Sequence, residues 1–155
     1  MTVQFKYMRL SAGKMIVYAV ASLLILLFVY AAVSKLLDYQ KFRVQLGQSP
    51  LLTNFAFVLA WFVPALEIII AVLLATDRYR LTALYASFSL MVVFSAYIFF
   101  ITRFASHVPC SCGGVLEKMS WDQHLIFNIV FVVMAAVAIL VHPSSGKVFQ
   151  KPIVA

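Results

Sequence analysis

Charge is what this chain has least of: only 11% of its 155 residues are Asp, Glu, Lys or Arg, against 65% that are hydrophobic. A soluble domain carries about 25% charged and roughly 45–50% apolar residues. The shortage therefore excludes a polar shell around a soluble core, and the bilayer must serve as solvent. Cysteine is almost as scarce. The two residues present, Cys110 and Cys112, leave one possible internal disulfide and exclude a larger framework. Internal repeats, low-complexity tracts and Gly/Ser linkers are also missing, which leaves one membrane domain followed by a short tail.

The formal charge of +7 does not indicate nucleic acid, because the twelve Lys and Arg are scattered between apolar runs rather than gathered in a patch. No nucleic-acid partner is expected; the lipid bilayer is.

Four runs approach the roughly 20 apolar residues that a hydrocarbon core requires: about 15–34, 54–76, 81–102 and 122–142. The predicted fold is all-α, an integral membrane four-helix bundle over 1–142 with a tail over 143–155. The first run follows Lys6, Arg9 and Lys14, as a secretory signal would. Its length, and the "KLLDYQKF" after it, argue that it is retained as a span. The link "DRYR" predicts an antiparallel hairpin between the second and third spans. Ser120 with Gln123 three residues on predicts a capping box at the start of the fourth, which His142-Pro143 closes.

With four spans, the N-terminus, the 77–80 link and the tail share one side. That side holds seven Lys and Arg, and the other holds five: Lys35, Lys41, Arg43, Arg103 and Lys118. The positive-inside rule then predicts both termini in the cytoplasm and the segment "HVPCSCGGVLEKMSWDQH" on the outer face, in a bacterial inner membrane.

That segment holds the candidate chemistry. Buried cysteines often serve as inert small hydrophobes, but here Pro109 precedes the pair and Gly113-Gly114 follows it, in a polar gap that needs no apolar filler. Thiols on an outer face meet an oxidising compartment. A Cys-x-Cys bridge closes too small a ring to stabilise much as a staple, and strained, exposed bridges are the readily exchanged ones. Cys110 and Cys112 are therefore the expected catalytic pair, with Gly113 and Gly114 leaving room for a partner's thiol. Arg103, His107 and Lys118 are close enough in sequence to favour a thiolate, or else are ordinary interfacial residues. The same thiolates with His107 or His124 and Met119 would also suit Cu(I), although one such cluster lacks the doubled spacing of a zinc motif. No metal ligand is assigned.

Two further features lie in the spans. Glu67 sits near the middle of the second, where an ionisable group is costly. It is either a protonated structural group bonded to a neighbouring helix or a proton-relay or quinone-site residue, with Lys35 as a possible charge partner. Trp61, Pro64 and Glu67, at i, i+3 and i+6, are expected on one side of that helix, facing the bundle. In the fourth span Trp121, His124 and Asn128 recur at i, i+3 and i+7. They are either an interfacial anchor with interhelical polar contacts or a wall where redox equivalents pass between the cysteine loop and a membrane-dissolved carrier.

Taken together, "AAVSKLLDY", "WFVPALEIIIAVLL" and above all "PCSCGG" followed by "SWDQHLIFNIVF" make the chain resemble the MauE branch of the DoxX-like membrane proteins, over about 15–142. Proteins of that branch are four-helix membrane proteins linked to methylamine utilisation, where they help a disulfide-rich periplasmic dehydrogenase subunit mature. Relatives are associated with thioredoxin-like proteins, and the wider group resembles the thiol oxidoreductases DsbB and vitamin K epoxide reductase. The resemblance implies thiol–disulfide exchange by Cys110 and Cys112 with an extracytoplasmic thioredoxin-like partner, with a membrane quinone as the one cofactor such chemistry suggests. It does not imply methylamine as the pathway. The quinone-linked enzymes carry Cys-x-x-Cys and usually a second pair, whereas this chain has one Cys-x-Cys. Its simplest cycle is direct, through a mixed disulfide between a partner's thiol and one cysteine of the pair. The competing expectations are an accessory subunit that scaffolds a membrane complex and a copper-binding membrane protein.

Overall fold

The computed structural model describes residues 2–48, 52–104 and 120–142, with side chains from residue 12 onward. The described residues form five α-helices: α1 (Thr2–Leu37), α2 (Tyr39–Gln48), α3 (Ala56–Ala75) entered through a 3-10 turn at Thr53–Phe55, α4 (Arg80–Phe104) and α5 (Trp121–Val141). Four helical stretches are long and apolar enough to cross a membrane: Ala12–Leu37, Thr53–Ala75, Arg80–Phe104 and Trp121–Val141. They coincide within a few residues with the four predicted spans. The predicted tail 143–155 lies outside the described residues.

The spanning helices close their own backbone hydrogen bonds, as a hydrocarbon environment demands, except at Pro64 within α3, which has no amide proton to give. Three hydroxyls of α4 follow the same rule. Ser87 donates to the Ala83 carbonyl at 2.7 Å, Ser95 to Met91 at 2.8 Å and Thr102 to Ile98 at 2.8 Å, so none of the three needs a partner from another helix.

The four spans form a ring in which α1 packs on α3 and α5, and α4 packs on α3 and α5, with little contact across the α1–α4 diagonal. Buried positions recur at three- and four-residue steps along each helix: Val17, Ala21, Leu24, Phe28 and Ala32 on α1, and Ala56, Ala60, Pro64, Glu67, Ala71 and Leu74 on α3. On α5 the buried side chains are small, Ala135 and Ala138 beside Asn128, which lets its backbone come close to its neighbours. Large apolar side chains such as Leu26, Phe57, Val93, Ile126 and Leu140 stay exposed around the ring, where only lipid would cover them.

The stripe on α3 corrects one expectation. Pro64 and Glu67 face the bundle, but Trp61 is 56% exposed and stacks on Tyr39 of α2 at 5.1 Å between ring centroids. Trp61 follows the buried Ala60 by one residue, and about 100° of helical rotation carries it out of the stripe.

One end of the ring is pinned by the link between α3 and α4. Tyr18 donates to Asp77 Oδ1 at 3.1 Å, Asp77 pairs with Arg80, and the Arg80 guanidinium lies 4.2 Å from the centroid of the Tyr18 ring. Arg80 Nε also donates to the Leu74 carbonyl at 3.1 Å, which occupies one of the last-turn carbonyls of α3 that no helical N–H reaches. At the same end, α1 and α5 approach so closely that a Cβ added at Gly13 would lie 3.0 Å from the Val141 carbonyl oxygen. The start of the first span, the 76–79 link and the end of α5 therefore share one end of the bundle, as span counting predicts. The opposite end holds α2 and the ends of α4 and α5 that bracket residues 105–119.

Helix α2 was not foreseen from sequence. Tyr39, Phe42 and Leu46 repeat at i, i+3 and i+7 and turn inward, while Lys41, Arg43 and Val44 stay outside. Leu46 packs with Ala56 and Ala60 in a small satellite core, which seats α2 against the start of α3.

Candidate functional site

At the α2 end the bundle does not close. A cavity of about 350 Å³ lies among all five helices, its wall overwhelmingly apolar. Its polar groups come from different elements: Lys35 from the last turn of α1, Glu67 from the middle of α3, and Trp121, His124 and Asn128 from the first two turns of α5. Helix α2 contributes Phe42, Gln45 and Leu46.

Lys35 and Glu67 form the centre of this wall. Nζ of Lys35 lies 2.7 Å from Glu67 Oε1 and also donates to the Ala31 carbonyl at 3.3 Å. Two rings flank the ammonium, Phe42 with its centroid at 5.8 Å and Phe94 at 5.9 Å. Glu67 is fully buried, whereas Lys35 keeps part of its side chain accessible. The group that Glu67 bonds on a neighbouring helix is the Lys35 ammonium. Opposite charges at this distance neutralise each other inside the bundle, which lowers the penalty for holding either one there.

Two polar atoms on this wall lack a partner among the described residues. Oε2 of Glu67 and Nδ2 of Asn128 are both buried and unbonded, and the Asn128 side chain as a whole is 4% exposed. His124 and Trp121 are half-buried one and two turns before Asn128. The start of α5 that positions all three is fixed by the predicted capping box: Ser120 Oγ accepts from the Gln123 amide at 3.3 Å, and the Ser120 amide donates to Gln123 Oε1 at 3.0 Å.

The structure thus brings together five of the residues singled out from sequence: Glu67, Trp121, His124 and Asn128, with Lys35 in contact with Glu67 as the charge partner expected for it. Arg103 is exposed in the last turn of α4 and takes no part in the cavity wall. His107, Cys110, Cys112, Gly113 and Gly114 lie outside the described residues. Among the described residues, no group of three or more His, Cys, Asp or Glu is placed to hold a metal ion. Sequence reasoning missed Phe42, Leu46 and Phe94. The helical repeat of Tyr39, Phe42 and Leu46 was the available signal for the first two; nothing in the sequence distinguishes Phe94 from the other phenylalanines of α4.

A family model described as methylamine utilisation protein MauE matches residues 13–141, which takes in all four spans and the segment between α4 and α5. No curated protein and no solved structure matches the chain.

Proposed function

This chain belongs to the MauE family of multi-spanning membrane proteins, and from that premise we propose that it exchanges disulfides through Cys110 and Cys112 with an extracytoplasmic thioredoxin-like protein, in support of exported proteins that need disulfides to mature. The bundle would lie in the bacterial inner membrane with both termini in the cytoplasm and the cysteine segment in the periplasm. A thiolate of the partner attacks one sulfur of the Cys110–Cys112 disulfide and the other sulfur leaves as thiolate; the partner's second thiolate then attacks its own sulfur in the mixed disulfide, which releases the partner oxidised and the pair as a dithiol. Run this way, the pair gains two electrons and the partner loses two.

The observation that carries the reading is the position of the cysteine segment. It joins Phe104 directly to Ser120, the ends of two helices that both wall the Lys35–Glu67 cavity. Both cysteines of the sequence lie in the segment that connects these two helices. His107 and Arg103 are assigned the supporting role of favouring a thiolate, and Gly113 and Gly114 that of leaving access to the sulfur.

Single Cys110→Ser and Cys112→Ser variants test this in whole cells. One of them should accumulate a mixed disulfide with a thioredoxin-fold protein, visible on a non-reducing gel and identified by mass spectrometry. A membrane-impermeant alkylating reagent should label the reduced pair from outside. If neither variant gives an adduct and both complement a deletion fully, the exchange reading fails and a scaffold role within a membrane complex takes its place. Labelling only after permeabilisation would reverse the orientation.

A further inference from the structure

The Lys35–Glu67 cavity has features that packing alone does not require. It is large enough for a ring with substituents, it is walled by hydrocarbon, and it presents one buried donor without a partner, Asn128 Nδ2, and one buried acceptor without a partner, Glu67 Oε2. Buried polar groups are ordinarily satisfied, and leaving a donor unbonded in an apolar site costs about 1–3 kcal/mol. Two such groups in the lining of one cavity fit a ligand whose oxygens accept from one and, when protonated, donate to the other. The Lys35 ammonium on the same wall favours an oxygen that carries partial negative charge.

Tyr30 and Val93 belong to the cavity lining and are also exposed, which fits entry from the acyl chains. Phe42 and Phe94, on either side of Lys35, offer ring faces for stacking.

We infer that this cavity binds the head of a lipophilic quinone, with Asn128 Nδ2 donating to a ring carbonyl and Lys35 and Glu67 at the polar wall. A quinone is an acceptor when oxidised and a donor through its hydroxyls when reduced, so it can satisfy either unpartnered group. As a binding site the cavity is independent of the cysteines. As an electron acceptor for them it rests on the exchange reading above: Cys110 and Cys112 as a dithiol lose two electrons and two protons to become a disulfide, and the quinone gains two of each to become a quinol.

Trp121, on the cavity wall, supplies a reporter. The chain has two tryptophans, and Trp61→Phe removes the one outside the cavity. Purified Trp61→Phe protein in nanodiscs is titrated with a decyl-substituted benzoquinone, and Trp121 fluorescence is followed. Saturable quenching is expected. Asn128→Leu should weaken it about tenfold, the loss of one buried hydrogen bond. Val63→Phe, which fills the cavity from α3, should abolish it and serves if Asn128→Leu does not fold. The Cys110→Ser/Cys112→Ser double variant should bind as before, so a protein that binds quinone but traps no partner would separate the two readings. Decylbenzene, which has the chain and ring but no oxygen, should not compete. Quenching that rises linearly without saturation, competition by decylbenzene, or Asn128 and Val63 variants that titrate like the Trp61→Phe parent would overturn the inference.

Discussion

Replacing Lys35 by Met removes the cation that lies against the fully buried Glu67 carboxylate. The Lys35–Glu67 contact of 2.7 Å, at an effective dielectric of about 20, corresponds to an attraction on the order of 6 kcal/mol, most of which is returned as the desolvation of the two ions. The net contribution of the pair is therefore small, while the penalty for breaking it depends strongly on which partner is left behind. Glu67 is fully buried in the middle of α3, so Lys35→Met should destabilise the bundle by about 3–5 kcal/mol. Glu67→Gln strands only Lys35, which sits in the last turn of α1 and can extend toward the interface; about 1–2 kcal/mol is expected. The double variant Lys35→Met/Glu67→Leu leaves no unpaired charge and should return to within about 1 kcal/mol of the natural protein. Reversible unfolding in mixed micelles by an SDS titration, followed through helical circular dichroism, gives all three values in one detergent. A larger loss for Glu67→Gln than for Lys35→Met, or a double variant that loses the sum of the two, would refute the argument.

The capping box at Ser120 makes a separate prediction: Ser120→Ala should cost about 1 kcal/mol and speed hydrogen exchange at the first amides of α5, without slowing exchange elsewhere. At Gly13, where an added Cβ would meet the Val141 carbonyl at 3.0 Å, Gly13→Ala should lower the melting temperature and Gly13→Val lower it further, because backbone cannot move aside as a side-chain tip can. Asp77 carries the pH dependence. The hydrogen bond from Tyr18, and after it the hydrogen bond and charge of Arg80, hold its carboxyl below the usual carboxylate range. A carboxyl lowered by folding stabilises the fold fully above its unfolded pKa and loses that contribution as pH falls through the folded value. The melting-temperature difference between the natural protein and Asp77→Asn should thus be constant near neutrality and close on acidification; a gap that widens in acid would contradict the assignment.

How much of the site could be read beforehand differs residue by residue. Glu67, His124 and Asn128 were legible because a polar group in a hydrocarbon run is conspicuous and costly. Their convergence was less so: Glu67 and Lys35 are 32 residues apart, and the contact depends on α1 and α3 running side by side. Trp61 shows the limit most clearly. Three-residue spacing placed it near Pro64 and Glu67, yet the bundle turned it outward, because a helix that is apolar all round has only a faint preference for which side faces in.

The four spans, the capped start of α5 and the sharing of one end by the first span's start, the 76–79 link and α5's end followed from the sequence alone, since span length, caps and the alternation of crossings are local properties of the chain. Tertiary structure decided the rest: the rotation of each helix, the folding of α2 onto the start of α3, and the cavity with its paired and unpartnered polar groups. Lipid is as apolar as the interior of the bundle, so hydrophobic periodicity could not choose the inward faces; close packing of small residues and the Lys35–Glu67 contact did.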